Sequence, residues 1–236
     1  VRKAAEHRLM VDVHDEYRPT GYSRTYPNLM TQEGIAGDET SPANSLTLTI
    51  LFTRMLAGAG DNTICYYDSR VDRNASHAYQ LAKAVCFYSP WQFVYWYDRP
   101  GRAPAKAGGA GGQKGTIGDE PELEFFDQVP TVWDDTKVLH GRIGEYAVIA
   151  RRSSDAWFVG SMNSDQPRTL DVPLAFLEQG RQYLARVYSD DETVPTRTRV
   201  RIDRRPVDAE TVLKADLPAN GGQAISIFPA DKPRFP

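Results

Sequence analysis

The chain has 236 residues, 41% of them apolar and 25% charged, and a formal net charge of −3. These proportions fit one large or two modest globular domains. They exclude a nucleic-acid binder built on a concentrated cationic footprint, because the basic residues are scattered, and no run of about 18 apolar residues is present to span a membrane.

In chain order, residues 1–8 read as the end of a helix. Residues 9–14 (LMVDVH) are short, mostly apolar and β-rich, as a buried parallel strand would be. Residues 15–43 hold Pro19, Gly21, Pro27, Gly34, Gly37 and Pro42 and read as one long loop. Loops of that length are uncommon and often functional. Residues 44–58 are apolar enough for a helix that ends at Gly58 and Gly60, with a turn at Asp61-Asn62 after it. In residues 75–88 the spacing of Ala78, Leu81, Ala82 and Val85 predicts an amphipathic helix, stopped by Ser89-Pro90. Residues 91–97 form a compact aromatic strand. Trp91 and Trp96 alternate within it, which favours core packing over stacking on a sugar. Strand, loop, helix, strand is the order of α/β units.

Residues 99–118 contain seven Gly and two Pro and read as a flexible insertion or linker; a short helix is expected within 119–128. Beyond residue 130 the texture changes. Seven short strands, at 146–150, 157–160, 170–172, 182–188, 198–202, 211–215 and 224–228, alternate with turn signals such as Asn220-Gly221-Gly222. That pattern predicts an antiparallel β-sandwich. Asp134 and Asp135, near its start, are expected at the surface. Cys65 and Cys86 lie in apolar stretches and read as buried thiols.

The candidate chemistry sits in residues 14–39, at the C-terminal end of a predicted strand. Five carboxylates, two arginines and His14 fall within 26 residues. Glycoside cleavage needs a carboxyl that donates a proton and a second that serves as base or nucleophile. Calcium needs several oxygen ligands, carboxylates foremost. Composition alone leaves an enzyme site and a solvated acidic loop equally open.

The motifs HDEYRPTG (14–21), RTYPN (24–28), QEG (32–34) and GDE (37–39) in this order resemble the signature stretch of glycoside hydrolase family 97. The likeness continues through LFTRMLAG, LAKAVCFYSP, TVWDDTK, GEYAVIARR, WFVG and ANGGQAISI. The resemblance implies an N-terminal β-sandwich, a central (β/α)8 barrel and a C-terminal β-sandwich. It makes this chain an α/β plus all-β protein: residues 1–128 as the end of the barrel, with a Gly-rich insertion at 101–118, and residues 129–236 as the last sandwich. About 125 residues are too few for a whole barrel, so the chain is expected to be a fragment.

The resemblance further implies an exo-acting, calcium-dependent α-glucosidase or α-galactosidase. Glu39 is then the general acid and Glu33 a calcium ligand. Asp15 stands where the inverting members carry a Glu that is base and calcium ligand, and its shorter side chain leaves inverting and retaining mechanisms both open. His14 is the expected substrate contact. Arg18 and Arg24 either hold sugar hydroxyls or pair with local carboxylates, and Arg24 joins His14 as a substrate-binding candidate. Glu16 receives no role, and Asp61 either stands at a loop end suited to a site or only caps a turn. The acid needs a raised pKa, so Glu39 is expected outside the first shell of the calcium. The expected partner is an oligosaccharide or glycoside, with no nucleic acid. The family also implies export to the periplasm or beyond. The rival reading is a non-catalytic carbohydrate-binding or packing module.

Overall fold

The structure, a computed structural model, describes residues 1–15, 18–67, 69–95, 98–100 and 115–232. Glu16, Trp96 and most of the Gly-rich stretch lie outside the described residues.

The N-terminal part is α/β. Helix α1 (Arg2–Glu6) leads into strand β1 (Val11–Val13), which pairs in parallel with β2 (Leu29–Gln32). Residues 15–43 are therefore not one loop. They hold α2 (Tyr22–Thr25), β2 and a 3-10 turn at Asp38–Thr40. Strand β2 is hidden in sequence because it is four residues long and three of them are buried, so it shows no alternation. A third parallel segment follows through the bridge between Gln32 and Gly60. Asp61-Asn62 is thus not an exposed turn but the buried continuation of that segment. The expected burial of 9–14 does not hold throughout: β1 is half-buried, and Leu9 and Met10 before it are exposed.

Helix α3 (Asn44–Leu51) is shorter than the apolar run that predicts it, and a 3-10 turn at Arg54–Ala57 takes over. After α4 (Ser69–Asn74) comes α5 (His77–Cys86), capped by Ser76, whose Oγ accepts from the Tyr79 N–H at 3.1 Å. Its predicted amphipathic spacing holds, with Ala78, Leu81, Ala82 and Val85 in cores, but its polar face is covered too: all ten residues are buried. Residues 91–95 form no regular strand, although the carbonyls of Phe93 and Val94 accept from Ile64 and Tyr66. Strands β3 (Asp98–Pro100) and β4 (Gly115–Ile117) pair in parallel, and α6 (Glu124–Gln128) follows a 3-10 turn.

The C-terminal part is the β-sandwich. Eight strands appear rather than seven: β5 (Asp135–Arg142), β6 (Tyr146–Ser153), β7 (Ala156–Asn163), β8 (Arg168–Pro173), β9 (Tyr183–Asp190), β10 (Val200–Val207), β11 (Val212–Leu217) and β12 (Gly222–Pro229). The unforeseen one, β5, is a largely exposed edge strand with no apolar alternation. Six strands form an antiparallel sheet in the order β10-β9-β12-β7-β6-β5, and β8 pairs with β11 in a second, two-stranded sheet. Asp134 is exposed and Asp135 half-exposed at the surface.

Alternation along the central strands builds two cores at once. On β7, Trp157 and Val159 face the β8/β11 layer, with Ile225 and Ile227 of β12 beside them. Ala156 and Phe158 point the other way, into a core shared with Leu81 and Val85 of α5. With the α/β part covering its other side, where Lys83 meets Asp38 and His77 meets Tyr66, α5 is buried all round. Two glycines allow its approach. A Cβ on Gly160 would meet the Ala82 carbonyl oxygen at 2.4 Å, and one on Gly222 would meet the Tyr79 Cα at 2.4 Å. Cys65 and Cys86 are buried and form no disulfide.

Candidate functional site

The backbone ladder sets the site. Glu33 N–H donates to the Val13 carbonyl at 2.9 Å, and Asp61 N–H donates to the Gln32 carbonyl at 3.0 Å. These bonds bring the C-terminal ends of three parallel segments level. His14, Glu33 and Asp61 each stand just beyond one of them, the end at which α/β architectures place their ligands.

His14 is the hub. Its Nδ1 lies 3.1 Å from Asp61 Oδ2 and 3.6 Å from Glu33 Oε2, and its Nε2 lies 3.3 Å from Glu39 Oε1. Asp12, two residues before His14 on the same face of β1, is in hydrogen-bond contact with Asp61. Potential ligand atoms converge in two overlapping groups, Asp12–His14–Asp61 and His14–Glu33–Glu39.

Crowding the carboxylates has an electrostatic cost. Burial, then the neighbouring Asp61, pushes Asp12 up to about 7. Burial likewise pushes Glu33 up to about 7; His14 opposes the shift, and the hydrogen bond and charge of Glu39 add to it. For His14, burial pulls the pKa down, but the Asp61 hydrogen bond and the Glu33, Glu39 and Asp61 charges outweigh it, so the net direction is up.

Two supports hold the acidic residues. Arg54 donates to the carbonyls of Gln32 at 2.9 Å, Glu33 at 2.7 Å, Gly58 at 3.1 Å and Ala59 at 3.3 Å, so it ties the end of β2 to the loop before Asp61. Glu39 sits on the 3-10 turn, whose first residue Asp38 is ion-paired to buried Lys83 of α5. Gly37, before that turn, packs against Thr63: a Cβ there would lie 2.8 Å from the Thr63 Oγ1.

An open cleft of about 840 Å³ adjoins the cluster, lined by Asp15, Arg18, Glu33, Ile35, Glu39 and Arg54 among others. Of the sequence candidates, the fold brings His14, Glu33 and Glu39 together. Asp15 is exposed on the cleft wall in a left-handed conformation (φ 64°) and belongs to neither converging group. Arg24 is exposed on α2 and is not among the cleft-lining residues, whereas Arg18 is. Asp12 and Asp61 are members that the sequence reading missed. Asp61 is 47 residues from His14, and only the parallel pairing of Gly60 with Gln32 brings it close.

Residues 132–228 match the family model described as "Glycosyl-hydrolase 97 C-terminal, oligomerisation", and residues 1–35 match the one described as "Glycoside hydrolase 97". A "Retaining alpha-galactosidase" of Bacteroides thetaiotaomicron is 30% identical over 94% of this chain and 34% of its own length. A "Probable retaining alpha-galactosidase" of Streptomyces bingchenggensis is 34% identical over 72% of this chain and 25% of its own. Among solved structures, a Glycoside Hydrolase Family 97 enzyme from Pseudoalteromonas sp. strain K8 in complex with Panose superposes with a TM-score of 0.79 at 27% identity, over 97% of this chain and 36% of that one. The chain thus spans about a third or less of the length of these relatives.

An acidic cleft at parallel strand ends, joined to a β-sandwich on whose outer sheet face a helix is packed, is here the carboxy-terminal architecture of a glycoside hydrolase lineage. The chain belongs to glycoside hydrolase family 97 and corresponds to its C-terminal part. Among the described residues, no helix is long and apolar enough to cross a membrane.

Proposed function

We propose that the parent protein is an exo-acting glycosidase that cleaves α-galactosidic or α-glucosidic bonds, with Glu39 as general acid and calcium as cofactor. One observation carries the reading: Glu39 Oε1 stands 3.3 Å from His14 Nε2 at the edge of a carboxylate-lined cleft. Two relatives named as α-galactosidases support the galactoside, and the family structure in complex with Panose supports the glucoside. Residues 1–128 are read as the end of a (β/α)8 barrel, and residues 129–236 as the terminal sandwich.

The donor set fits a hard cation. Glu33 and Glu39 bring carboxylate oxygens within 4.8 Å of one another, and carboxylates so crowded are stabilised by a shared proton or a cation. Glu33 is the proposed ligand; an imidazole nitrogen suits calcium poorly, which leaves His14 for the substrate. Bound there, the ion would supply the charge that keeps Glu33 ionised. The contact between the two glutamates brings Glu39 within reach of the same ion, so the expectation that it stays outside the first shell has no support in the geometry.

The same closeness argues against Glu33 and Glu39 as the two catalytic carboxyls. Those flank the scissile bond at about 5–5.5 Å in retaining and about 6.5–9.5 Å in inverting enzymes. Glu39 protonates the leaving oxygen. The second carboxyl is either Asp15, across the cleft wall, or a group outside these 236 residues, as the family's retaining branch would have it. The 236-residue chain alone is accordingly expected to be inactive. The rival reading, a sugar-binding sandwich, would need an exposed aromatic platform. Trp157, which lines a second hollow with Phe176 and Tyr183, is buried.

The test is hydrolysis of nitrophenyl α-galactoside and α-glucoside by the full-length protein. Activity should be lost with a calcium chelator. It should fall about 100-fold or more in Glu39→Gln on substrates with poor leaving groups, and recover on activated aryl glycosides. Unchanged turnover of substrates with poor leaving groups, such as a disaccharide, in that variant would remove Glu39 from the role of acid.

A further inference from the structure

We propose that Asp61 is a positioning residue for His14, fixing the imidazole so that Nδ1 is held from behind and Nε2 is presented to Glu39, which lines the cleft. The inference rests on the glycosidase reading for its catalytic consequence, and on geometry alone for the placement of the ring.

Asp61 is 1% exposed, in a segment whose next residues, Asn62 and Thr63, are also buried. Nothing in a turn cap explains a carboxylate there. Among the described residues, Asp61 Oδ2 is a closer acceptor to His14 Nδ1, at 3.1 Å, than Glu33, whose oxygen near the same nitrogen, at 3.6 Å, is beyond hydrogen-bond reach. A single N–H on Nδ1 therefore goes to Asp61. The other nitrogen is then directed at Glu39, 3.3 Å away.

Asp61 is itself immobilised from two sides. Its N–H is tied to the Gln32 carbonyl at 3.0 Å, and its carboxyl contacts Asp12 on β1, one strand beyond β2. The orienter is thus built on the parallel strands and not on the mobile end of a side chain. A half-exposed histidine with such a buried carboxylate behind it has one preferred ring orientation, because a 180° flip would put ring carbons against both Asp61 and Glu39. This is the arrangement by which an outer carboxylate fixes the tautomer and direction of an imidazole that touches substrate.

The experiment has two arms on the full-length protein. In the first, crystal structures of wild type and Asp61→Ala are compared at His14. The ring is expected to leave the Glu39 side in the variant; an unmoved ring would overturn the proposal whatever the activity. In the second, kcat/KM is measured for Asp61→Asn, His14→Ala and the double variant. Asp61→Asn should cost about 10–100-fold, yet change the His14→Ala enzyme by no more than about twofold. Fully additive losses would mean that Asp61 acts through the fold at large and would also overturn it. If the wild-type protein cleaves no α-glycoside, the glycosidase reading fails, and the crystallographic arm alone decides the placement of the ring.

Discussion

Lys83, in the last turn of a helix buried against the β-sandwich, is ion-paired to Asp38, the chain neighbour of Glu39. The proposed acid is thus anchored to the sandwich through one buried charge pair. Helix α5 belongs by sequence to the α/β part but packs on β6, β7 and β12. Through that helix, the packing of the sheet bears on the position of a residue in the cleft.

Breaking that pair should be costly. Lys83 is almost fully buried, so Lys83→Met leaves the Asp38 carboxylate without its counter-charge in a site with little water. A loss of about 3–5 kcal/mol is expected. Asp38→Leu combined with Lys83→Met should cost clearly less than the two single changes summed. Thermal unfolding of all three variants measures this; strict additivity would show that the pair contributes no coupling.

The sandwich–helix contact has a simple steric probe. Gly160→Ala would place a methyl 2.4 Å from the Ala82 carbonyl oxygen and 2.8 Å from the Cys86 Sγ. The helix or the strand must shift, at about 1–3 kcal/mol. A fall of roughly 2–4 °C in Tm per kcal/mol is expected for a protein of this size. Gly180→Ala serves as a control of another kind: the space there is open, and only its positive φ (75°) is strained.

Arg54 holds four carbonyls around the end of β2 and the loop that leads to Asp61. Arg54→Met removes every one of those donors, and a loss of about 2–4 kcal/mol is expected. Arg54→Lys should recover only part of it, because an ammonium cannot reproduce the planar fork. Urea unfolding midpoints of the two variants give the comparison; equal midpoints would show that the fork is dispensable.

The acid side of the stability curve should report His77. Burial pushes this histidine down to about 4, against edge contact with the Tyr66 ring. A depressed histidine favours the neutral form in the fold, so protons bind the unfolded chain first. Its contribution is complete above about pH 6.5 and is lost as pH falls toward about 4, amounting to about 1–3 kcal/mol. His77→Phe should flatten stability across that window. A variant with the wild-type slope between pH 4 and 6.5 would assign the slope to other groups.

Local signals were legible where structure follows from neighbours in the chain. The β-texture after residue 130, the helix before Ser89-Pro90 and the carboxylate density of 14–39 are all properties of short windows, and the fold contains the sandwich, the helix and the acidic site they imply. The windows failed where packing on two sides erased periodicity. Strand β2 shows no alternation because it is buried nearly throughout; for α5 the apolar spacing was legible, but not that the sheet closes on one side of it at Gly160 and Gly222 while the α/β part covers the other. Strand β5 was missed for the opposite reason, since an exposed edge has no apolar face to alternate.

The sequence by itself determined the family, the two textures of the chain and the ionisable groups from which a site can be made. Tertiary structure decided which of those groups meet. Glu33 and Glu39 are six residues apart and join through a local turn, within reach of a linear motif. Asp61 comes to His14 across 47 residues through parallel pairing, a relation that leaves no trace in any short stretch because the hydrogen bonds that create it are made by backbone atoms every residue shares.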